Sequence, residues 1–396
     1  MRNQVAVIGA GMTVFGEHFD SGLEQLAAQA YRAALASVDN GIDPAELEVG
    51  FFANVMGSLA GNEIPSGATL ANAIGLPGLP VSRVENGCPS GSDAIRIAAM
   101  AIASGVYDVA VVVGSEKLRE RPTKESLLES GRAGHPILSY ANTAATIFAP
   151  QAMRHMYEFG TTREQLAMVA VKAAANASLN PNAQRRATIT VEDVLNSAPV
   201  CTPFTVLDCC PQSDGAAAVV LCRADIAHRF TDKPVYLAGV GLATEALYYH
   251  EKTRMTGWDS TRLAARRAFE MAGIGARDID VVELHDCFTG TEIISYEDLG
   301  LCEEGHGGKL VESGATALTG RIPVNPSGGL LAKGHPIGAT GVAQYMELFG
   351  QLREEAGDRQ VALRSGIAVQ HNVGGYSVGI SVVSVLSRER GGRADG

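Results

Sequence analysis

Apolar residues along this chain gather in two kinds of run. Short and nearly unbroken ones, such as "VAVVVG" at 109–114 and "AAAVVLC" at 216–222, show no alternation with polar residues. They predict strands covered by helices on both faces. Longer stretches such as "TTREQLAMVAVKAAANAS", which opens on Thr161 and Thr162, predict helices with one of those threonines as N-cap. Strand and helix patterns follow one another, so the expected class is α/β.

The pattern also repeats itself. "VAVIGAGMT" from Val5 matches "VYLAGVGLA" from Val235, each an apolar strand running into a glycine turn. "GIDPAELEV" from Gly41 matches "GIGARDIDV" from Gly273, and extending that match sets Asn54 opposite Asp286 and Val55 opposite Cys287. Further on, "CPSGSDAI" from Cys88 falls against "HPIGATGV" from His335, after a small insertion. A duplicated α/β unit is expected, with a first half over 1–231, a second over 232–390 joined at "TDKP", and a polar tail at 391–396. Residues 116–203, charged and then helical, have no counterpart and read as an inserted cap over the site.

Chemistry enters through the mismatch between the copies. Both helix starts carry a proline one residue after the reactive side chain and a run of small residues, but one offers Cys88 and the other His335. Facing each other across an approximate two-fold axis, they would make a nucleophile and a base. A free thiol near pKa 8.5 is only a few per cent thiolate at neutral pH, and a helix dipole alone is too weak to ionise it. A nearby imidazolium can lower the pKa further, so the histidine would have to carry most of the activation. Cys201, Cys209, Cys210, Cys222 and Cys302 are expected to be small buried hydrophobes.

Composition narrows the function classes. A net charge of −11 argues against nucleic acid or an anionic membrane as the main partner. An anionic ligand would need local basic residues, for which Lys117, Arg119, Arg121 and Lys124, or Arg185 and Arg186, are candidates. Seven cysteines without CxxC spacing suggest neither a disulfide framework nor a zinc site, so the expected setting is a reducing cytoplasm and no metal is expected. The N-terminal apolar run is too short for a signal peptide or a membrane span. After Gly9 and Gly11 the next glycine is Gly16, which breaks a dinucleotide fingerprint.

Four blocks, "NGCPSGSDAI", "ELHDCFTGTE", "NPSGGLLAKGHPIGATG" and "QHNVGGYSVG", together with "CPQSDGAAAVV", resemble the thiolase superfamily in its sterol-carrier-protein-type form. The resemblance implies two βαβαβαββ halves in an α/β/α/β/α arrangement with an inserted loop domain, and a homodimer. It implies carbon–carbon bond making or breaking on coenzyme A thioesters through an acyl-cysteine, with acyl-CoA and coenzyme A as substrates and no bound cofactor. By motif, Cys88 is the acylated nucleophile and His335 its activating partner. His285 stands where ordinary thiolases have an asparagine, and Cys287 supplies the acid/base cysteine. The amides of Cys88 and Gly374 form an oxyanion hole, while His285 and His335 can donate to an enolate oxygen. Asn372 occupies the place where ordinary thiolases carry their second cysteine. His371 reads as structural, and His135 of "AGHPI" is left without a role.

The "NVGGY" form is similar to thiolases that work beside a small zinc-ribbon/OB-fold partner presenting coenzyme A. A retro-aldolase on 3-hydroxyacyl-CoA, of the lipid-transfer-protein type, is the alternative enzyme class, and a non-catalytic scaffold or lipid-binding subunit is the remaining one. The cap and residues 246–258, with Tyr248, Tyr249 and Trp258, are expected to set which acyl chain is accepted.

Overall fold

The computed structural model describes residues 2–57, 65–120, 143–374 and 379–390. The chain begins β1 (Val5–Met12), α1 (Leu23–Ala36), β2 (Val49–Ala53), α2 (Gly67–Ala73), β3 (Val81–Val84), α3 (Ser90–Ala103) and β4 (Val109–Glu116). An inserted segment carries α4 (Ala145–Phe159), α5 (Arg163–Ser178), α6 (Val191–Asn196) and the small hairpin β5 (Pro199–Cys201) and β6 (Phe204–Thr205), after which β7 (Gly215–Arg223) returns to the sheet. The second half runs β8 (Val235–Thr244), α7 (Asp259–Ala272), β9 (Val281–Glu283), α8 (Thr289–Asp298), α9 (Gly307–Glu312), α10 (Ile337–Arg353), β10 (Ile367–Gly374) and β11 (Ile380–Ser387). The apolar run at 109–114 thus extends through Glu116, which belongs to β4 and not to the insertion. Of the two candidate caps for α5, Thr162 takes the position, its hydroxyl accepting the Gln165 N–H at 3.2 Å.

Nine strands form one sheet in the order β3-β2-β4-β7-β1-β8-β11-β10-β9. Its two wings have matching registers. Val49 of β2 lies opposite Ala110 of β4, as Val281 of β9 lies opposite Ala368 of β10. Glu116 pairs with Gly215 as Gly374 pairs with Ile380. The wings meet where Ala6 of β1 faces Tyr236 of β8, so the pseudo-dyad passes through that antiparallel seam. The copies differ at one edge: β3 is a full strand, whereas its counterpart is a single bridge between Val282 and Val324. Val324 lies between Pro323 and Asn325-Pro326, and prolines lack the N–H that a longer ladder would need.

Side-chain alternation along the strands builds five layers. Val5 and Val7 point into a central core with Ala94 and Ala98 of α3 and Ala339 and Val342 of α10, while Ala6 and Ile8 point outward onto Leu26 and Tyr31 of α1. In the other wing Ala368 and Leu386 face the centre, and Val369, Val383 and Val385 face Ala264 and Ala268 of α7. The order is therefore α/β/α/β/α, with α3 and α10 buried in the middle. Those two helices touch at their starts, where a Cβ on Gly91 would lie 2.8 Å from the Gly338 carbonyl oxygen. That close approach brings the residues just ahead of each helix together.

Candidate active site

Ahead of α3, the chain turns sharply between Asn86 and Ser90. Gly87 adopts φ +62°, a conformation that side-chain-bearing residues avoid. Ser90 closes the turn, its hydroxyl accepting the Asn86 N–H at 2.7 Å and donating to the Gly87 carbonyl at 2.6 Å. Cys88 sits on this turn, half-buried, with its backbone against the end of β10. A Cβ on Gly374 would lie 2.7 Å from the Cys88 Cβ and 2.7 Å from the Pro89 Cδ. Only glycine lets the two amide-bearing segments approach this closely.

Ahead of α10, the inserted segment clamps the matching loop. Gln184 and Arg185 donate their N–H groups to the carbonyls of Lys333 and Ala332 at 3.0 and 2.9 Å, and the Ser213 hydroxyl accepts the His335 N–H at 3.0 Å. The His335 ring is buried, and burial pushes its pKa down to about 3, so the imidazole is neutral at physiological pH. The neutral ring is the form that can act as a base toward the Cys88 thiol. Its tautomer follows from its neighbour. The Thr340 hydroxyl donates to the Pro336 carbonyl at 3.1 Å, so it accepts from His335 Nδ1–H at 2.7 Å and leaves the Nε2 lone pair free.

His285 and Cys287 follow β9. The Cys88 sulfur and one ring nitrogen each of His285 and His335 lie within 4.8 Å of one another, and the two rings meet edge to face at 5.2 Å. His285 is fully buried, and burial, with His335 and His371 nearby, holds its pKa well below the usual histidine range. Its Nδ1 faces the amide nitrogen of Asn372 at 3.4 Å, and its Nε2 has no partner among the described residues. That amide also donates to Gln344 at 2.7 Å and to the His371 carbonyl at 3.0 Å. Both imidazoles are neutral, and His335 presents its Nε2 lone pair as a base. One sulfur and two imidazole nitrogens are also a donor set that soft divalent metals accept, so such an ion would compete with substrate here. Cys287 is buried, its sulfur 3.7 Å from the Thr291 hydroxyl, and burial, then the nearby Cys210 and Cys88, push its thiol well above the usual range. It is a protonated donor at rest.

Several neighbours complete the surroundings of these groups. Asn372 belongs to a buried network in which its oxygen accepts from Ser92 at 2.8 Å and its amide donates to Gln344 at 2.7 Å, and Gln370 donates to Ser92 and Gln344. Cys210, expected as an ordinary buried thiol, donates its N–H to the Cys287 carbonyl at 3.0 Å and lies close enough to Cys88 to be affected by its charge. Phe288 stacks on Phe204 and tilts against Phe148, each at 5.1 Å, in a cluster that includes Cys287 and Trp258. The insertion thereby supplies an aromatic wall beside the thiols. Trp258 is fully buried and donates to Gln151 at 3.0 Å, and Tyr249 donates to the Ile147 carbonyl. His371 is structural, with Nε2 3.2 Å from the Thr261 hydroxyl.

Two basic clusters from the sequence are engaged elsewhere. Lys117 pairs with Asp214 at 3.0 Å and Glu120 at 2.8 Å, Arg119 pairs with Glu17, and Arg185 donates to the Cys209 carbonyl at 3.2 Å. Arg186 is exposed and donates to the Ser178 carbonyl. Arg121, Lys124, His135 and the residues after Gly374 in "NVGGY" lie outside the described residues.

Fold and site define a duplicated, five-layered α/β protein with a thiol and two imidazoles where the copies meet. Family models match along nearly the whole chain: "Thiolase, N-terminal domain" over residues 5–225 and "Thiolase C-terminal domain-like" over residues 241–388. The chain belongs to the thiolase family. It is 43% identical to an acetyl-CoA acetyltransferase of Methanothermobacter thermautotrophicus over 97% of this chain and 99% of that one. Sterol carrier protein 2 of Bos taurus is 36% identical over 98% of this chain and 72% of its own length. Among solved structures, that of the "Ltp2-ChsH2(DUF35) aldolase" superposes with a TM-score of 0.84 at 25% identity, covering 98% of both chains.

Proposed function

We propose that this chain is an acyl-CoA C-acyltransferase of the thiolase type, which cleaves a 3-ketoacyl-CoA or runs the reverse Claisen condensation through acyl-Cys88. The observation that carries the reading is the meeting of the Cys88 sulfur with two neutral imidazoles within 4.8 Å. In thiolysis, His335 Nε2 takes the Cys88 proton and the sulfur attacks the 3-keto carbon. The oxyanion rests on the amides of Cys88 and Gly374. As the carbon–carbon bond breaks, the departing enolate oxygen accepts from His285 and from the newly protonated His335. Cys287 gives its proton to the enolate carbon. Coenzyme A then loses its thiol proton to Cys287 and attacks acyl-Cys88, and the Cys88 thiolate recovers its proton from His335. The high pKa of Cys287 suits a partner that must protonate carbon.

Coenzyme A enters as a substrate, and the reading places the enzyme in the cytoplasm as a homodimer. No helix of the described residues is long and apolar enough to cross a membrane. The outer edge of β3 ends the sheet and offers a second copy a strand to pair with. A small zinc-ribbon/OB-fold partner belongs to the same reading. Its support is the DUF35 protein named alongside Ltp2 in the structural neighbour and the relative "Benzoylsuccinyl-CoA thiolase subunit BbsB" of Thauera aromatica, 34% identical. Because that structural neighbour is named an aldolase, it favours a second reading, retro-aldol cleavage of a 3-hydroxyacyl-CoA. Assaying both substrates separates them, with and without any protein that copurifies. Coenzyme A-dependent cleavage of the 3-keto substrate, lost in Cys88→Ala, supports the transferase. Cleavage of the 3-hydroxy substrate that survives Cys88→Ala supports the aldolase.

A further inference from the structure

The matched registers give one buried acid a meaning that its own half does not. Glu116 ends β4 as Gly374 ends β10, and each strand end meets the start of the other half's central helix. Gly374 lies against Cys88 and Pro89 ahead of α3, and Glu116 meets Gly338 in the first turn of α10. Glycine leaves the first helix start open to a substrate oxygen. At the second helix start a carboxylate accepts the Gly338 N–H, while the His335 N–H, the counterpart of the Cys88 amide, goes to the Ser213 hydroxyl.

That carboxylate is fully paired. Oε1 accepts from the Asn54 amide at 2.9 Å and the Met56 N–H at 2.9 Å, and Oε2 accepts from the Val55 N–H at 3.0 Å and the Gly338 N–H at 2.9 Å. Four donors occupy the lone pairs of both oxygens, which requires the anion, and a helix N-terminus favours negative charge. Burial works the other way and raises the carboxyl to about 7. Arg83, which donates to the Asn54 carbonyl at 3.1 Å, is the charged side chain that favours ionisation. Gly338 is bracketed by His335 and by Thr340, the residue that sets the His335 tautomer. No step of the chemistry above uses Glu116.

We infer that Glu116 is a positioning residue for acyl transfer: it fixes the first turn of α10, and with it His335, against the half that carries Cys88. The inference rests on the reading that His335 activates Cys88. Its test is acetylation of Cys88 by acetyl-CoA and the pH profile of Cys88 alkylation by iodoacetamide, in wild type, Glu116→Gln, Glu116→Asp and His335→Ala. Glutamine keeps the volume but turns an N–H toward two donors. Aspartate keeps the charge but withdraws it.

Both Glu116 variants are expected to melt cooperatively and to keep KM for acetyl-CoA. Acetylation should slow by about tenfold or more, the rate equivalent of one charge-assisted hydrogen bond. The alkylation profile should shift toward that of His335→Ala. Folded variants with wild-type rates and profile would overturn the inference. So would failure of both variants to fold, which would make Glu116 a support of the whole core. If His335→Ala itself leaves the profile unchanged, the reading of the site falls, whatever Glu116 does.

Discussion

A single hydroxyl sets the tautomer of the base. Thr340 holds the His335 proton on Nδ1. Thr340→Val should therefore lower kcat by roughly tenfold with little change in KM, and Thr340→Ser should restore it, since only the hydroxyl matters. His285→Ala removes an enolate donor and should cost roughly 100- to 1,000-fold in condensation rate, the usual loss for one such donor, while acetylation of Cys88 is less affected. Steady-state and single-turnover kinetics read both. Cys88 and His335 were legible in the sequence because they stand at the same point of a repeated frame. Thr340 and Ser213 were not, because their value lies in which proton or loop they hold, and no spacing rule encodes that; Asn372 was marked by its place but not by the buried network it joins. The charge state of His335 was also hidden, since it depends on burial that only the folded chain supplies.

At the scale of elements, the site is two helix starts and two strand ends brought together by glycines. Gly374→Ala would put a methyl 2.7 Å from the Cys88 Cβ, so acylation should fail even where the protein folds. Gly338→Ala would put one 2.5 Å from the Ala53 carbonyl oxygen. Overpacking of this kind costs about 1–3 kcal/mol, so the melting temperature should drop clearly. Calorimetry on both variants, beside mass measurement of acyl-Cys88, separates the two effects. The repeat matches that began at Val5 and Gly41 continue in the strand registers, so the duplication could be read before any coordinates. What the pattern could not show is that β4 runs through Glu116, or where the copies diverge: the lost counterpart of β3 and the insertion's grip on the His335 loop. Each depends on pairing between segments far apart in the chain.

For the molecule as a whole, burying neutral histidines links stability to pH. His335 and His371 are held near 3 by burial, below the ordinary value of 6.5. Because the folded value is depressed, the stability they contribute is fully present above about 6.5 and is lost as pH falls toward 3. Each such group contributes a slope of about 1.4 kcal/mol per pH unit inside that window. His371→Gln should accordingly lose less stability than wild type between pH 6.5 and 4, measured by denaturant titration. Equal slopes would mean that His371 is protonated in the folded state.

The central claim is that folding makes one nucleophile from two half-sites, and mass spectrometry of the intact protein after brief exposure to acetyl-CoA tests it most directly. The account predicts one added acetyl group, mapped by peptide fragmentation to Cys88, absent from Cys88→Ser and strongly slowed in His335→Ala. An enzyme that turns over with Cys88 never acetylated, or that is acetylated as fast without His335 as with it, would contradict the account.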